Sequence, residues 1–325
     1  MRSRVWLAGA AGIAVAVALL SWAFERAGGL RFVQPLGDLA VWVLIPAVLC
    51  EAAVQACKAW KWTGILAPTK RVRFASALQA VLVGGMATHV VPLRIDELLR
   101  ARILGDAEDL PAATVLGTVA IDRVIEILVL GTLLGLAAIA GDLTGPLELA
   151  VQVAWAGFVA GALVLALFVL AEARAAAFLA RWTGPGAALI NRLSTVVTDM
   201  ARGLRSLPRG RDLARVIAGT AGEWTATIAM YALVLVGFGI GPASSTPLVM
   251  ALGGAAAYGV PNVPGAMGTF EAAQVTLLDQ LLRLPADEAL AVALVCHAVL
   301  AIPISLVGSG VALGIWLRRS AHLGS

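Results

Sequence analysis

A chain of 325 residues has room for two soluble domains, but 60% of these residues are apolar and only 14% are charged, against about a quarter charged in soluble proteins. With a mean hydropathy of +0.90, the composition is that of an integral membrane protein. The formal charge of +4 comes from arginines gathered in loops beside apolar runs, which reads as membrane orientation and excludes a nucleic-acid partner; the three cysteines, Cys50, Cys57 and Cys296, form no CxxC and support neither a disulfide framework nor a zinc site.

Apolar spans are predicted at 5–24, 38–57, 111–140, 147–171, 213–237 and 288–317, with two irregular segments, 74–105 and 247–284, between them. The first run follows Arg2 and Arg4 and is long enough to cross a bilayer. It has no good Ala-x-Ala site before Glu25, so it reads as a retained helix, with a signal peptide as the alternative. Trp60, Trp62, Trp182 and Trp316 flank spans as interface anchors.

Charge sets the topology. The linker with Lys58, Lys61, Lys70, Arg71 and Arg73 is expected in the cytoplasm, as are the N-terminus, the arginine-rich stretch 172–212 and Arg318 with Arg319. A full crossing at 74–93 would put the arginine-rich loop outside. If 74–105 instead enters from the cytoplasm and returns there as a broken re-entrant hairpin, spans 111–140 and 147–171 bring that loop back inside. By the same count 247–284 is a hairpin entering from the outside. The expected fold is therefore an all-α polytopic membrane protein forming a single transmembrane domain over 1–325. It has six full spans and two broken hairpins, arranged as an inverted repeat of 1–141 and 147–325. The alternative is an eight-span bundle with one loop on the unfavoured side.

The first hairpin turns at Thr88-His89-Val90-Val91-Pro92-Leu93-Arg94-Ile95-Asp96-Glu97-Leu98-Leu99-Arg100. Pro92 breaks one helix and suits the start of the next, whose free amides would carry partial positive charge toward the bilayer interior. Arg94 adds a fixed charge able to hold a phosphate in two hydrogen bonds, so an anionic group is the natural guest; a plain interfacial arginine is the alternative. Asp96 is spaced to pair with Arg100, and Asp96 and Glu97 also suit a helix start.

The second hairpin contains Pro261, Pro264, Gly265 and Gly268 before Glu271, and cannot be regular helix. Bare backbone at membrane depth is tolerated only against protein or a wet cavity, so the Gly265 and Gly268 amides are expected to face a ligand, the alternative being a packed turn. Between the hairpins, Asp122, Arg123 and Glu126 put charge inside a span, at about 2.5–3.5 kcal/mol each on insertion scales. Asp122 and Glu126 share a helix face, and the group serves either as an interhelical clamp or as a substrate site. Glu51 and Glu223 are isolated carboxylates able to carry protons, or simply interfacial. His89 and His297 read as packing histidines.

No GxxxxGK[ST], HExxH or GxSxG motif is found, and no cofactor, metal or catalytic residue is expected. At the two hairpins and the charged span, the sequence resembles the flippase-like family also called the lysylphosphatidylglycerol synthase transmembrane region. The family's Asn-x-x-x-Pro-x-Arg-x-Gly-Glu-x-x-Arg is matched in spacing by Pro92, Arg94, Glu97 and Arg100, with Thr88 and Asp96 at the Asn and Gly positions. Its Glu-Arg-x-x-Asp resembles Asp122-Arg123-Val124-Ile125-Glu126, and its Pro-x-x-Pro-Gly-x-x-Gly-x-x-Glu is matched in full from Pro261 to Glu271. His297 stands where the last span of the family often has arginine.

The resemblance implies a bacterial or archaeal cytoplasmic-membrane protein that moves an anionic phospholipid or lipid-linked head group between leaflets. It implies a stand-alone translocator, without the soluble aminoacyltransferase domain of fused relatives. A membrane-embedded lipid-modifying enzyme using Glu97, Asp122 or Glu126 as a base is one alternative. A non-catalytic partner of a lipid-processing enzyme is the other.

Overall fold

The computed structural model describes residues 2–90, 95–139, 208–241, 245–259 and 264–323, with isolated positions between 156 and 163. The predicted span 147–171, most of the arginine-rich stretch 172–212, and Pro92, Arg94 and Pro261 lie outside the described residues.

Among the described residues the chain is all-helical, with ten α-helices and no strand. In chain order they are α1 (Arg2–Arg26), α2 (Val33–Gly37), α3 (Leu44–Leu66), α4 (Phe74–Val90), α5 (Asp96–Glu108), α6 (Ala112–Ile139), α7 (Arg211–Gly237), α8 (Thr246–Gly259), α9 (Thr269–Leu282) and α10 (Ala286–Leu323). Short 3-10 turns at Leu30–Phe32, Val41–Val43 and Pro264–Ala266 punctuate them. Proline marks several starts: Pro111 precedes α6, Pro247 sits in the first turn of α8, and Pro285 precedes α10, where Asp287 and Glu288 add favourable charge at the helix start.

Helix length separates two classes. Helices α1, α3, α6, α7 and α10 run 25, 23, 28, 27 and 38 residues, enough for a hydrocarbon core of about 30 Å. Helices α4, α5, α8 and α9 run only 17, 13, 14 and 14 residues, or roughly 20–26 Å at 1.5 Å per residue. These four are the two irregular segments of the sequence, each split into a pair of short helices. By length and apolarity together, Val41–Leu66 and Ala286–Arg318 qualify as membrane-crossing helices among the described residues. Their outward faces carry Trp42, Ile45 and Leu49, and Ile302, Leu306, Leu313 and Leu317. Rows of exposed large apolar side chains suit lipid, not water.

One boundary departs from the expectation. The span expected to end at 57 continues as α3 to Leu66, which carries Lys58 and Lys61 into the helix. The apolar tail Gly64-Ile65-Leu66 holds it, with Ile65 and Leu66 fully buried, and Pro68 limits its continuation.

Packing divides the described chain into two units, each interleaved in sequence. The first comprises 1–57, 81–96 and 221–325. Its core brings together Met230, Tyr231 and Leu235 of α7, Met250 of α8, Phe270 and Leu278 of α9, and Leu290 and Cys296 of α10. The end of α4 lies directly on α10: a Cβ on Gly308 would fall 2.4 Å from the Leu82 carbonyl oxygen, so only glycine allows this approach.

The second unit comprises 58–80 and 97–220. Trp62 is fully buried here and donates its indole N–H to Thr118 Oγ1 at 3.1 Å, tying α3 to α6. Where α5 ends, Lys70 Nζ donates to the Glu108 carbonyl and Arg73 Nε to Glu108 Oε1 at 3.0 Å.

Candidate functional site

The second unit holds a charged cluster built from three helices, with Lys61, Arg100 and Asp122 buried and Glu97, Arg123 and Glu126 half-buried. Lys61 comes from α3, Glu97 and Arg100 from α5, and Asp122, Arg123 and Glu126 from α6. The i, i+4 spacing stacks Asp122 over Glu126 on one face, and Lys61 Nζ stands before both, 2.8 Å from Asp122 Oδ1 and 3.8 Å from Glu126 Oε1. Arg123 reaches sideways, as its position on the adjoining face requires, and donates to Glu97 Oε1 at 2.8 Å and Glu126 Oε2 at 2.5 Å. The cluster contains three cations and three carboxylates and is formally neutral.

Arg100 is the least satisfied member. It is 7% exposed, and its guanidinium carbon sits 4.6 Å from the Trp62 ring centroid. Its ionic partner is Asp122 Oδ2 at 3.7 Å, on another helix, not Asp96 one turn back on its own as spacing suggested. Its Nε and Nη2 donate no hydrogen bond. A buried guanidinium normally finds acceptors, and an oxyanion supplies them in the geometry its planar fork prefers.

The first unit holds a second polar cluster beside the start of α9. Gly268 is the N-cap of α9 at φ 78°, and Glu271, three residues on, takes the Gly268 amide N–H on Oε2 at 2.6 Å. This is the carboxylate half of a capping box, since glycine has no side chain to supply the other half. Glu271 Oε1 lies 2.5 Å from His297 Nδ1 on α10, and the two residues are 3% and 6% exposed. Around the imidazole stand Phe270, Tyr258 and His89, with ring centroids 4.7, 6.2 and 6.3 Å away.

These contacts correct part of the sequence expectation. The Gly268 amide is not open to a ligand, because Glu271 occupies it, and a Cβ there would lie 2.3 Å from the Ala16 carbonyl oxygen of α1. Gly265, at φ 62°, faces His89, whose Nδ1 would be 3.0 Å from an added Cβ. Pro264 opens the 3-10 turn that leads to both glycines.

Both clusters fall within a single match to a known protein family. The model for the lysylphosphatidylglycerol synthase TM region matches residues 9–308. The chain belongs to that family. No curated protein and no solved structure matches it. Membership makes the chain a membrane protein of a family associated with lipid-related membrane function.

In this family member, Glu97, Arg100, Asp122, Arg123 and Glu126 come together, while Gly265, Gly268 and Glu271 form the separate cluster. Sequence reasoning missed Lys61, Trp62 and His297. A charge count pointed to the first: Glu97, Asp122 and Glu126 against Arg100 and Arg123 leave one buried carboxylate needing a cation.

At the end of α5, outside the spans, burial alone pushes the Glu108 carboxyl up. Hydrogen bonds from Ser76 and Arg73, and the Arg73 charge, outweigh burial and hold it below the usual carboxylate range.

Proposed function

We propose that the protein translocates an anionic phospholipid or lipid-linked head group between the leaflets of a bacterial cytoplasmic membrane. The observation that carries this reading is Arg100, a buried guanidinium stacked on Trp62 whose Nε and Nη2 donate no hydrogen bond. A phosphate oxygen entering beside it gains charge-assisted hydrogen bonds and meets no uncompensated carboxylate, because Lys61 and Arg123 hold the three acids. In this reading the acids keep the cations in place and are not general bases, and a lipid-processing enzyme is a partner able to use the product.

The short helix pairs α4–α5 and α8–α9 support two re-entrant hairpins, since none of the four reaches the length of a span. Six full spans around them, related as an inverted repeat with both termini cytoplasmic, complete the proposal.

The test is a leaflet-resolved assay. Purified protein is placed in vesicles carrying trace fluorescent phosphatidylglycerol or phosphatidylcholine, and a membrane-impermeant quencher reports which leaflet holds the probe. Protein-dependent loss of protection for phosphatidylglycerol, slower for the zwitterionic lipid, is the expected result. No protein-dependent movement of any phospholipid would remove the assignment.

A further inference from the structure

The Glu271–His297 pair has no role in a fixed anion site. Glu271 spends both carboxylate oxygens on the protein, one on the Gly268 amide and one on His297, which leaves it neither charge nor geometry to spare for a head group. What the pair does have is a titratable imidazole held by a carboxylate in a place largely shielded from solvent. With His297 Nδ1 engaged by Glu271, further proton exchange falls to Nε2.

We propose that this pair is a proton-binding site and that head-group translocation is coupled to a proton carried on it; the coupling rests on the translocation reading above. With Nδ1–H donated to the ionised Glu271, the pair carries one negative charge. A proton taken up at Nε2 makes it carboxylate and imidazolium, net zero, and release from Nε2 restores the first state. An anionic head group that passes this pair on its way across is repelled by the first state and tolerated by the second, so anion and proton favour each other's presence there, and the linkage is reciprocal. Moving both together also lets one negative charge cross a membrane potential without net charge transfer.

The surroundings suit this task. Among the described residues, ionisable groups near the pair include His89 on α4, Tyr258 on α8, Cys296 on α10 and, acting on Tyr258 through its charge, Glu51 on α3, with Tyr231 of α7 behind them. Helix α1 brings the Ala16 backbone to the start of α9, and Arg31, on the short 3-10 turn that packs against α10, is exposed. The pair also has mechanical leverage. It joins α9, which follows the break, to the long α10, and Glu271 is the cap that holds the start of α9. A change in the charge on His297 therefore acts directly on the carboxylate that caps α9.

The experiment uses the full chain in phosphatidylcholine vesicles with trace fluorescent phosphatidylglycerol, a pH-reporting dye inside, and the membrane potential clamped by a potassium ionophore. Outside acid should speed inward movement of phosphatidylglycerol by at least about fivefold, the lower end of ordinary coupling, and the dye should report protons entering only when phosphatidylglycerol is present. In His297→Gln and in Glu271→Gln, whatever lipid movement remains should no longer respond to the gradient. His297→Arg, which fixes the charge, gives a second reading if the glutamine variants fold poorly: its rate should be independent of pH. Lipid movement in the wild type without proton entry, or an undiminished gradient response in the His297 variants, overturns the coupling and leaves translocation standing. Proton entry without lipid movement overturns both the coupling and translocation. Neither movement overturns both.

Discussion

Lys61 Nζ lies 2.8 Å from Asp122 Oδ1 with the lysine side chain wholly shielded from solvent, in a helix whose basic residues the sequence assigned to a cytoplasmic linker. Asp122 and Glu126 face this deeply buried amine and compensate its charge. Removing one partner strands the other.

Lys61→Met should therefore lower thermal stability in detergent sharply, by an amount corresponding to about 3–5 kcal/mol for a broken buried pair. Lys61→Met combined with Asp122→Leu should recover most of that loss. Size-exclusion profiles after a heating series provide the measurement, and an unaltered profile for Lys61→Met would mean that the pair contributes nothing to the fold.

Gly268→Ala should cost more than Gly265→Ala. Both sites have positive φ, which an L side chain adopts at about 1–2 kcal/mol. At Gly268 the new carbon also clashes with backbone, 2.3 Å from the Ala16 carbonyl oxygen; at Gly265 the nearest atom is a side-chain nitrogen at 3.0 Å, with backbone no closer than 3.5 Å. The same heating series should rank wild type above Gly265→Ala and Gly265→Ala above Gly268→Ala. The reverse order would place the strain elsewhere.

Acid should expose the Glu108 contribution. Its carboxyl is held below its ordinary value of 4.5 in the folded protein, so its stabilisation is present above that pH and is lost as the pH falls through the lowered folded value. Arg73 is largely exposed, which limits the contribution to no more than about 1 kcal/mol. Glu108→Gln should be slightly less stable than wild type at neutral pH and equal to it in strong acid. A gap that widens on acidification would contradict the sign.

Topology is testable with single cysteines in a background lacking the native three. Cysteines at Lys70 and Ser320 should react with an impermeant thiol reagent only from the cytoplasmic face, and one at Asp38, in the link between the first two long helices, only from the other. Labelling of Asp38 and Lys70 from the same side would undo the assignment of α3 as a crossing.

Much of this architecture is legible in the amino-acid sequence. The span predicted at 111–140 is α6 within a residue at each end, and the one predicted at 213–237 is α7 within two. Both are legible because apolar runs bounded by charge or proline leave little choice. The irregular segments are visible because Pro261, Pro264, Gly265 and Gly268 cannot continue a helix. The site is harder to read because its pairings are distant in sequence: Asp122 of α6 lies three helices beyond Lys61 of α3, and Glu271 meets His297 across 26 positions. Hydropathy scores Lys61 by what it is, whereas its burial depends on a partner that no local window contains. His297 likewise reads as solitary until the cap of α9 turns Glu271 toward it.

Translocation as proposed requires that the partly satisfied buried guanidinium of Arg100 receive the anionic head group. It is tested most directly by leaflet-resolved movement of phosphatidylglycerol with Arg100→Ala and Arg100→Lys, using protein shown by size exclusion to be folded. A hydrogen bond to a charged group contributes about 1.5–3 kcal/mol, so Arg100→Ala should slow translocation roughly tenfold or more. Arg100→Lys, which keeps the charge and loses the planar fork, should fall between. Folded Arg100→Ala that moves phosphatidylglycerol at the wild-type rate would contradict the account.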